Sequence, residues 1–217
     1  MDRAADIPVT AGFGARRAWN LLLTPKAEWA VIDGEPASVR SLYVPYVLAL
    51  AATGPLALLI GGQTFGYSAF GVNFRPTFGA GMTTAAVNYV LALVGVFIVA
   101  LAINGLAPRF GGTSNRIQAL KVAVYSSTAA WLAGAFQITP PLFLLSVVGL
   151  YSLYLLALGL PLLMKIPRKR AAGGVIATMA ASLIIWIVIG AIGNVLSRFL
   201  IKAAGLTGAV GITVPGG

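Results

Sequence analysis

The densest group of potential nucleophiles and proton carriers in this chain is the run Tyr125-Ser126-Ser127-Thr128, with Lys121 one helical turn before it. A serine becomes a nucleophile when a neighbouring base takes its proton, and Lys121 would serve only if an apolar site strongly lowered its pKa. His is absent, which removes the commonest general base and metal ligand, and Cys is absent, which removes thiolate chemistry and disulfides. All five carboxylates, Asp2, Asp6, Glu28, Asp33 and Glu35, precede Pro36. Paired-carboxylate hydrolysis and intramembrane metalloprotease chemistry therefore lack their groups. Proton-driven transport commonly runs on Asp, Glu or His relays inside the membrane, and the residues after Pro36 supply none. The expectation is a protein that is not an enzyme and has no catalytic residue, metal ligand or cofactor.

The elements that carry these residues belong to a bilayer. Hydrophobic residues make up 59% of the 217, charged residues only 9%, and the mean hydropathy is +0.91. These values lie outside the range of soluble domains. From Leu42 to Gly62 no residue is charged, and at about 1.5 Å per helical residue this run just crosses a hydrocarbon core of about 30 Å. Four further apolar runs follow, so the predicted fold is all-α: a polytopic bundle of five transmembrane helices over residues 40–200, with spans at about 42–62, 82–106, 118–138, 141–164 and 174–195.

Ahead of the bundle, residues 1–14 mix charge with Pro and Gly and read as a mobile, uncleaved tail. Residues 15–35 predict two short amphipathic interfacial helices. In the first, Ala15, Ala18, Trp19, Leu22 and Leu23 fill one arc and Arg16, Arg17 and Asn20 the other, a pattern that suits either the membrane surface or the bundle itself. In the second, Thr24 is a candidate cap, Pro25 fits the first helical position, Glu28 sits in the first turn, and Trp29 shares a face with Ile32. With Glu28, Asp33 and Glu35 opposite the basic loops in charge, the segment is expected to fold back along the membrane surface with Trp19 and Trp29 facing the bilayer. Ser38 is the candidate cap of the first span, with Arg40 at the headgroups.

Span one contains Pro45 and, mid-membrane, Gly54-Pro55, and a kink near Gly54 is expected. Such breaks mark substrate sites in some transporters and are also ordinary helix kinks, the reading preferred here. The segment from Gly61 to Gly81 carries five aromatics, Phe65, Tyr67, Phe70, Phe74 and Phe78, and reads as a loop along the far interface. Asn88 and Asn104 are expected to hydrogen-bond neighbouring helices. Lys121, near a helix end, is expected to snorkel to the headgroups. Tyr43 with Pro45, and Tyr125 with Ser126, lie about one turn inside the same boundary and are expected to meet. Small residues in span five permit close helix contact, and residues 201–217 read as a flexible tail.

Lys and Arg set the orientation. Five precede the first span, three lie in the second loop through Lys121, and Lys165, Arg168, Lys169 and Arg170 fill the fourth, twelve in all against Arg75, Arg198 and Lys202. By the positive-inside rule the N-terminus is cytoplasmic and the C-terminus lies across the membrane. The net charge of +10 sits beside apolar spans, so anionic lipids are the expected counter-charge and no nucleic acid is expected. Arg outnumbers Lys ten to five, and Ala and Gly are abundant, which suits a bacterial source and hence the inner, cytoplasmic membrane.

With this topology the chain resembles the Yip family, the Ypt/Rab-interacting five-span membrane proteins, in its bacterial branch. The residues that carry the resemblance are TPKAEW from Thr24, SLYVPY from Ser41 and KVAVYSS from Lys121. Eukaryotic members have Asp-Leu-Tyr-Gly-Pro where this chain has Ser41-Leu42-Tyr43-Val44-Pro45, and Tyr-Gly-Tyr-Ser near where it has Val122-Ala123-Val124-Tyr125-Ser126, so Leu42, Tyr43, Pro45, Tyr125 and Ser126 match while the Asp and Gly do not. The resemblance implies a non-catalytic adaptor or organiser of membrane proteins and lipids that acts through its cytoplasmic face. The alternative is a passive channel or transporter for an anionic or lipid substrate, not proton-coupled. Candidate binding residues are Trp19, Trp29, Tyr43, Pro45, Lys121, Tyr125, Ser126, Lys165, Arg168, Lys169 and Arg170. Expected partners are the lipid bilayer, a membrane or cytoplasmic protein, and a second copy of the chain.

Overall fold

A computed structural model describes residues 12–69 and 72–206. The expected terminal tails therefore lie largely outside the described residues, as does Phe70. Within them the chain is helical apart from one short hairpin.

Helix α1 (Gly12–Leu23) starts three residues earlier than expected and leads into α2 (Pro25–Gly34). Pro25 takes the first position of α2 and Glu28 its first turn. Thr24 does not cap α2; its hydroxyl donates back to the Asn20 carbonyl at 3.2 Å. The backbone bonds from Thr24 N to Asn20 O and from Glu28 N to Thr24 O carry helix-like pairing through the junction, so few amides are left for a cap to serve. Ser38 does cap the next helix: its Oγ accepts from Ser41 N at 3.1 Å, and Ser41 Oγ accepts from Ser38 N at 2.9 Å, a reciprocal capping box.

Span one is helical with two irregularities. After α3 (Val39–Leu42) comes a π-helical turn at Tyr43–Val47, centred on Pro45, then α4 (Leu48–Ala51), a turn at Ala52 and α5 (Thr53–Thr64). Proline lacks an N–H and its ring crowds the carbonyl four residues earlier, so a wider turn is one way for the backbone to pass it. At the second irregularity the Thr53 hydroxyl lies against the carbonyls of Leu50 and Trp131. Gly54 meets Gly134 there, and a Cβ on Gly134 would come within 2.9 Å of the Gly54 Cα.

The expected aromatic loop contains a hairpin, β1 (Tyr67–Ala69) with β2 (Val72–Phe74), antiparallel with Tyr67 opposite Phe74. The Tyr67 hydroxyl donates to the Leu58 carbonyl at 3.0 Å and ties the hairpin to α5. Helix α6 (Phe78–Leu106) begins at Thr77, whose hydroxyl accepts from Ala80 N. A 3-10 turn at Ala107–Phe110 ends it, and the Asn104 carboxamide accepts from Ser114 at 3.0 Å across the loop. Helix α7 (Arg116–Ser126), capped by Asn115, continues as α8 (Thr128–Ala133) and a 3-10 segment, Gly134–Ile138. A second 3-10 segment, Pro140–Leu150, leads into α9 (Tyr151–Leu163), and α10 (Arg168–Ala203) runs for 36 residues.

Among the described residues three helical stretches, Phe78–Phe110, Pro140–Leu163 and Arg168–Ala203, are long and apolar enough to cross a membrane. Their outer faces carry exposed Leu144, Val147, Ile176, Leu183, Ile187 and Val195, as lipid-facing helices do. Lipid is as apolar as leucine, so close packing and hydrogen bonds hold such a bundle instead of water exclusion. Gly95 shows the close packing: a Cβ there would press on Trp186 and Ile189 of α10. Tyrosines supply hydrogen bonds between elements, from Tyr43 to the Leu93 carbonyl at 2.9 Å and from Tyr89 to the Leu48 carbonyl at 3.0 Å. The buried core centres on Val96, Ile103, Leu120, Val122, Leu155 and Leu160, with Leu21, Trp29 and Ile32 of the N-terminal helices part of it.

Candidate functional site

The candidate residues converge where α1 and α2 close one end of the bundle. Helix α1 does not present the face expected of it. Leu21 is fully buried, Ala18 and Arg17 are nearly so, and Trp19 and Leu23 point outward at 64% and 61% exposure. The expected apolar arc is thus divided, with Ala18 against the bundle and an Ala15, Trp19 and Leu23 stripe facing away.

Arg17 turns inward because two carboxylates await it. Its Nη1 pairs with Glu28 Oε1 at 2.8 Å, and its Nη2 donates to both Glu35 oxygens at 2.6 and 2.7 Å. Asn20 donates to the other Glu28 oxygen at 3.0 Å. Burial opposes the Arg17 charge, but the Glu35 hydrogen bond, with the charges of Tyr125, Glu35 and Glu28, outweighs it and leaves the Arg17 pKa raised. The guanidinium also lies 5.7 Å from the Tyr125 ring centre, within cation–π reach.

Trp29 does not face the bilayer. It is 1% exposed and lies edge-on to Tyr125, ring centres 6.4 Å apart. Its slot exists because α9 has Gly159 there. Lys121 does not snorkel either: it is 3% exposed and its Nζ donates to the carbonyls of Ile32 and Glu35 at 2.8 and 2.5 Å. The carbonyls at the end of α2 have no partner within the helix and carry partial negative charge, which holds the ammonium more strongly than a route to the headgroups. Gln118 joins the same junction by donating to the Asp33 carbonyl at 3.1 Å.

Tyr125 is brought to span one, but through Tyr46, which sequence reasoning passed over. Their ring centres are 5.1 Å apart, and Tyr46 Oη shares a 2.7 Å hydrogen bond with Thr128. Tyr43 instead bonds to α6, and Pro45 sits in the π-helical turn. Ser126 is buried and donates to its own helix at Ala123. Ser127 does the same at 2.8 Å. Both hydroxyl protons are thus held by the Ala123 backbone carbonyl and not by a basic side chain. Among the described residues no cluster of metal-ligating side chains forms.

Lys165 pairs with Asp33 at 2.5 Å. It is the one non-glycine with positive φ among the described residues, at 54°. Arg168, Lys169 and Arg170 are exposed in the first turn of α10. Cations there oppose the helix dipole, at about 0.3–1 kcal/mol each. Of the acids, Asp33 meets the basic loops, whereas Glu28 and Glu35 turn to Arg17. The missed members, Arg17, Tyr46 and Gly159, had one sequence signal: Glu28, Asp33 and Glu35 cluster just before a bundle that carries Lys121 inside an otherwise uncharged run.

A helical membrane bundle closed at one end by its own N-terminal helices is the class of protein that this fold and site define. The Yip1 domain matches residues 19–190, and the chain belongs to that family. Its curated relatives include the inner membrane protein YohC of Escherichia coli K12 and of Escherichia coli O6:H1, each 25% identical over 172 residues that cover 77% of this chain and 88% of the relative. No solved structure matches. The chain is an integral membrane protein with the Yip domain, as the resemblance implied.

Proposed function

We propose that this protein is a non-catalytic organiser of the bacterial inner membrane that works through its capped end. Five spans carry it: the broken helix from Val39 to Thr64, α6, the α7–α8 segment, the Pro140–Leu163 stretch and α10. The capped end lies in the cytoplasm and the C-terminus on the other side, as the excess of Lys and Arg requires.

One observation carries this reading. The N-terminal helices are locked into the bundle by Trp29, Arg17 and Lys121, yet the Trp19 and Leu23 side of α1 is left exposed. A fixed surface with an uncovered tryptophan, in a chain that also exposes Arg168, Lys169 and Arg170, suits a partner that is apolar and anionic at once, a membrane surface or a membrane-bound protein.

Placing a photo-crosslinking residue at Trp19 in native membranes tests it. Adducts to a protein or a lipid headgroup are expected, and none from a position on the buried side such as Leu21. A Trp19→Ala variant that keeps every native partner would sink the adaptor role. A reporter fused after Gly217 should be active only outside the cytoplasm. The reading of a passive conduit for an anionic or lipid substrate is favoured by one observation, the pair of cavities between α5, α6 and α10.

A further inference from the structure

Asn88, in the interior of α6, lines two cavities at once. One, of about 440 Å³, lies toward α8 and α9 and is walled by Trp131, Leu156, Met179 and Trp186. The other, of about 480 Å³, runs between α5, α6 and α10 toward Arg198 and Leu206. Both volumes fall in the range of about 300–1,000 Å³ typical of ligand sites.

Four polar groups along this track, Asn88, Ser182, Ser197 and Arg198, have no partner among the described residues. The Asn88 carboxamide hydrogen-bonds no described residue, and so does not act as the expected glue. Ser197 is 5% exposed and lines the second cavity, and among the described residues its hydroxyl has no partner, nor has that of Ser182 in the first. Arg198, at the mouth, has neither ion pair nor hydrogen bond among the described residues. Buried polar atoms in proteins nearly always find partners, so the idle Ser182 and Ser197 hydroxyls, in line with the half-buried Asn88 amide and the exposed Arg198, mark where a ligand's polar atoms go. Gly193 keeps the passage open beside Asn88, since a Cβ there would lie 3.1 Å from the Asn88 oxygen.

The spacing suits one molecule. Gly193, opposite Asn88, and Arg198 are five residues apart on α10, about 7.5 Å at 1.5 Å per residue. We propose that the track holds a single bilayer phospholipid. Its phosphate pairs with Arg198 and its glycerol ester oxygens accept from Ser197 and the Asn88 amide. One acyl chain fills the apolar cavity between Trp131 and Trp186. The cation at the mouth selects an anionic head, and the walls beyond Asn88 accept only hydrocarbon. This site lies at the opposite end from the cap and stands whether or not the capped face recruits a partner.

The test uses full-length protein purified in detergent and titrated with dioleoyl phosphatidylglycerol, with retained lipid counted by native mass spectrometry. Wild type should retain one molecule through activation that strips the rest. R198Q should weaken retention about tenfold, the N88L/S197A pair by a similar factor, and R75Q, a cation outside the track, not at all. Dioleoyl glycerol, which lacks the phosphate, should bind like phosphatidylglycerol does to R198Q. Phosphatidylglycerol brominated in its acyl chains should quench the wild-type tryptophan emission, and W131F/W186F should lose at least half of that quenching. Equal retention in wild type, R198Q and N88L/S197A would overturn the proposal, as would equal retention of the phosphate-free lipid. Quenching unchanged in W131F/W186F would do so too. Unchanged melting curves for R198Q keep a folding defect from mimicking the expected loss.

Discussion

Trp29 occupies the space that Gly159 leaves empty: a Cβ on Gly159 would lie 2.5 Å from the indole ring. The pair joins the second N-terminal helix to α9 across 130 residues of sequence, and it converts a segment that composition assigns to the membrane surface into part of the core. Gly159→Ala is therefore expected to destabilise the protein by about 1–3 kcal/mol through overpacking, and Trp29→Ala by about 3–5 kcal/mol. Thermal unfolding in detergent measures both. A Trp29→Ala protein that melts like wild type would return this residue to the bilayer.

Arg17 should be no less sensitive to its replacement. Arg17→Ala leaves Glu28 and Glu35 facing each other without a cation, and breaking a buried pair from one side costs about 3–5 kcal/mol. Arg17→Lys should recover only part of this, because an ammonium cannot reach two carboxylates as the guanidinium fork does. The readout is protease cleavage between Gly12 and Pro36, expected to be fast in Arg17→Ala, intermediate in Arg17→Lys and slow in wild type. Equal rates in all three would show that the ion pairs do not hold the cap.

Lys121→Met separates tethering from snorkelling. If the ammonium is bound by the end of α2, its loss should raise hydrogen exchange across Ile32 to Glu35 by about tenfold, the factor that follows from some 1.4 kcal/mol of lost charge-assisted bonding. A snorkelling lysine would leave those amides as they were.

Arg168, Lys169 and Arg170 carry a trade-off. Changing all three to Gln should raise stability by up to about 1 kcal/mol per residue, since each charge opposes the α10 dipole. The same variant should bind vesicles containing phosphatidylglycerol more weakly than wild type at low salt, with the difference shrinking as salt rises. Vesicle affinity unchanged at low salt would remove anionic lipid as the reason for the cluster.

The all-helical class, the membrane setting, the Ser38 cap and the irregularity near Gly54 were legible because each rests on a local rule: run length, a side-chain oxygen at the right offset, a missing N–H. The site was legible only in part. A helical wheel assigns Arg17 to the outer arc since it weighs the residue by its own polarity, whereas its burial is decided by Glu28 and Glu35, 11 and 18 positions away. Trp29 and Lys121 were singled out for the right chemistry and given the wrong surroundings, because the slot at Gly159 and the carbonyls of α2 come from other parts of the chain. Tyr46 carried no signal that distinguished it from Tyr43 until the π-helical turn set which of the two faces Tyr125. The hairpin at Tyr67–Phe74 was hidden by a composition of aromatics and glycines that fits a loop equally well.

The Trp29 and Gly159 contact also sets a schedule for synthesis. At about 5–20 residues per second, the 130 residues between them take the ribosome roughly 6–26 seconds to add. For that interval the tryptophan, Leu21 and Ile32 have been made while the slot that receives them has not. The nascent N-terminal segment needs interim cover, and the bilayer surface beside the translocon is the nearest apolar phase. Closing the cap is thus a late event in biogenesis, after the Pro140–Leu163 stretch has been made, and a chain stalled before Gly159 would carry its own unsatisfied adhesive patch.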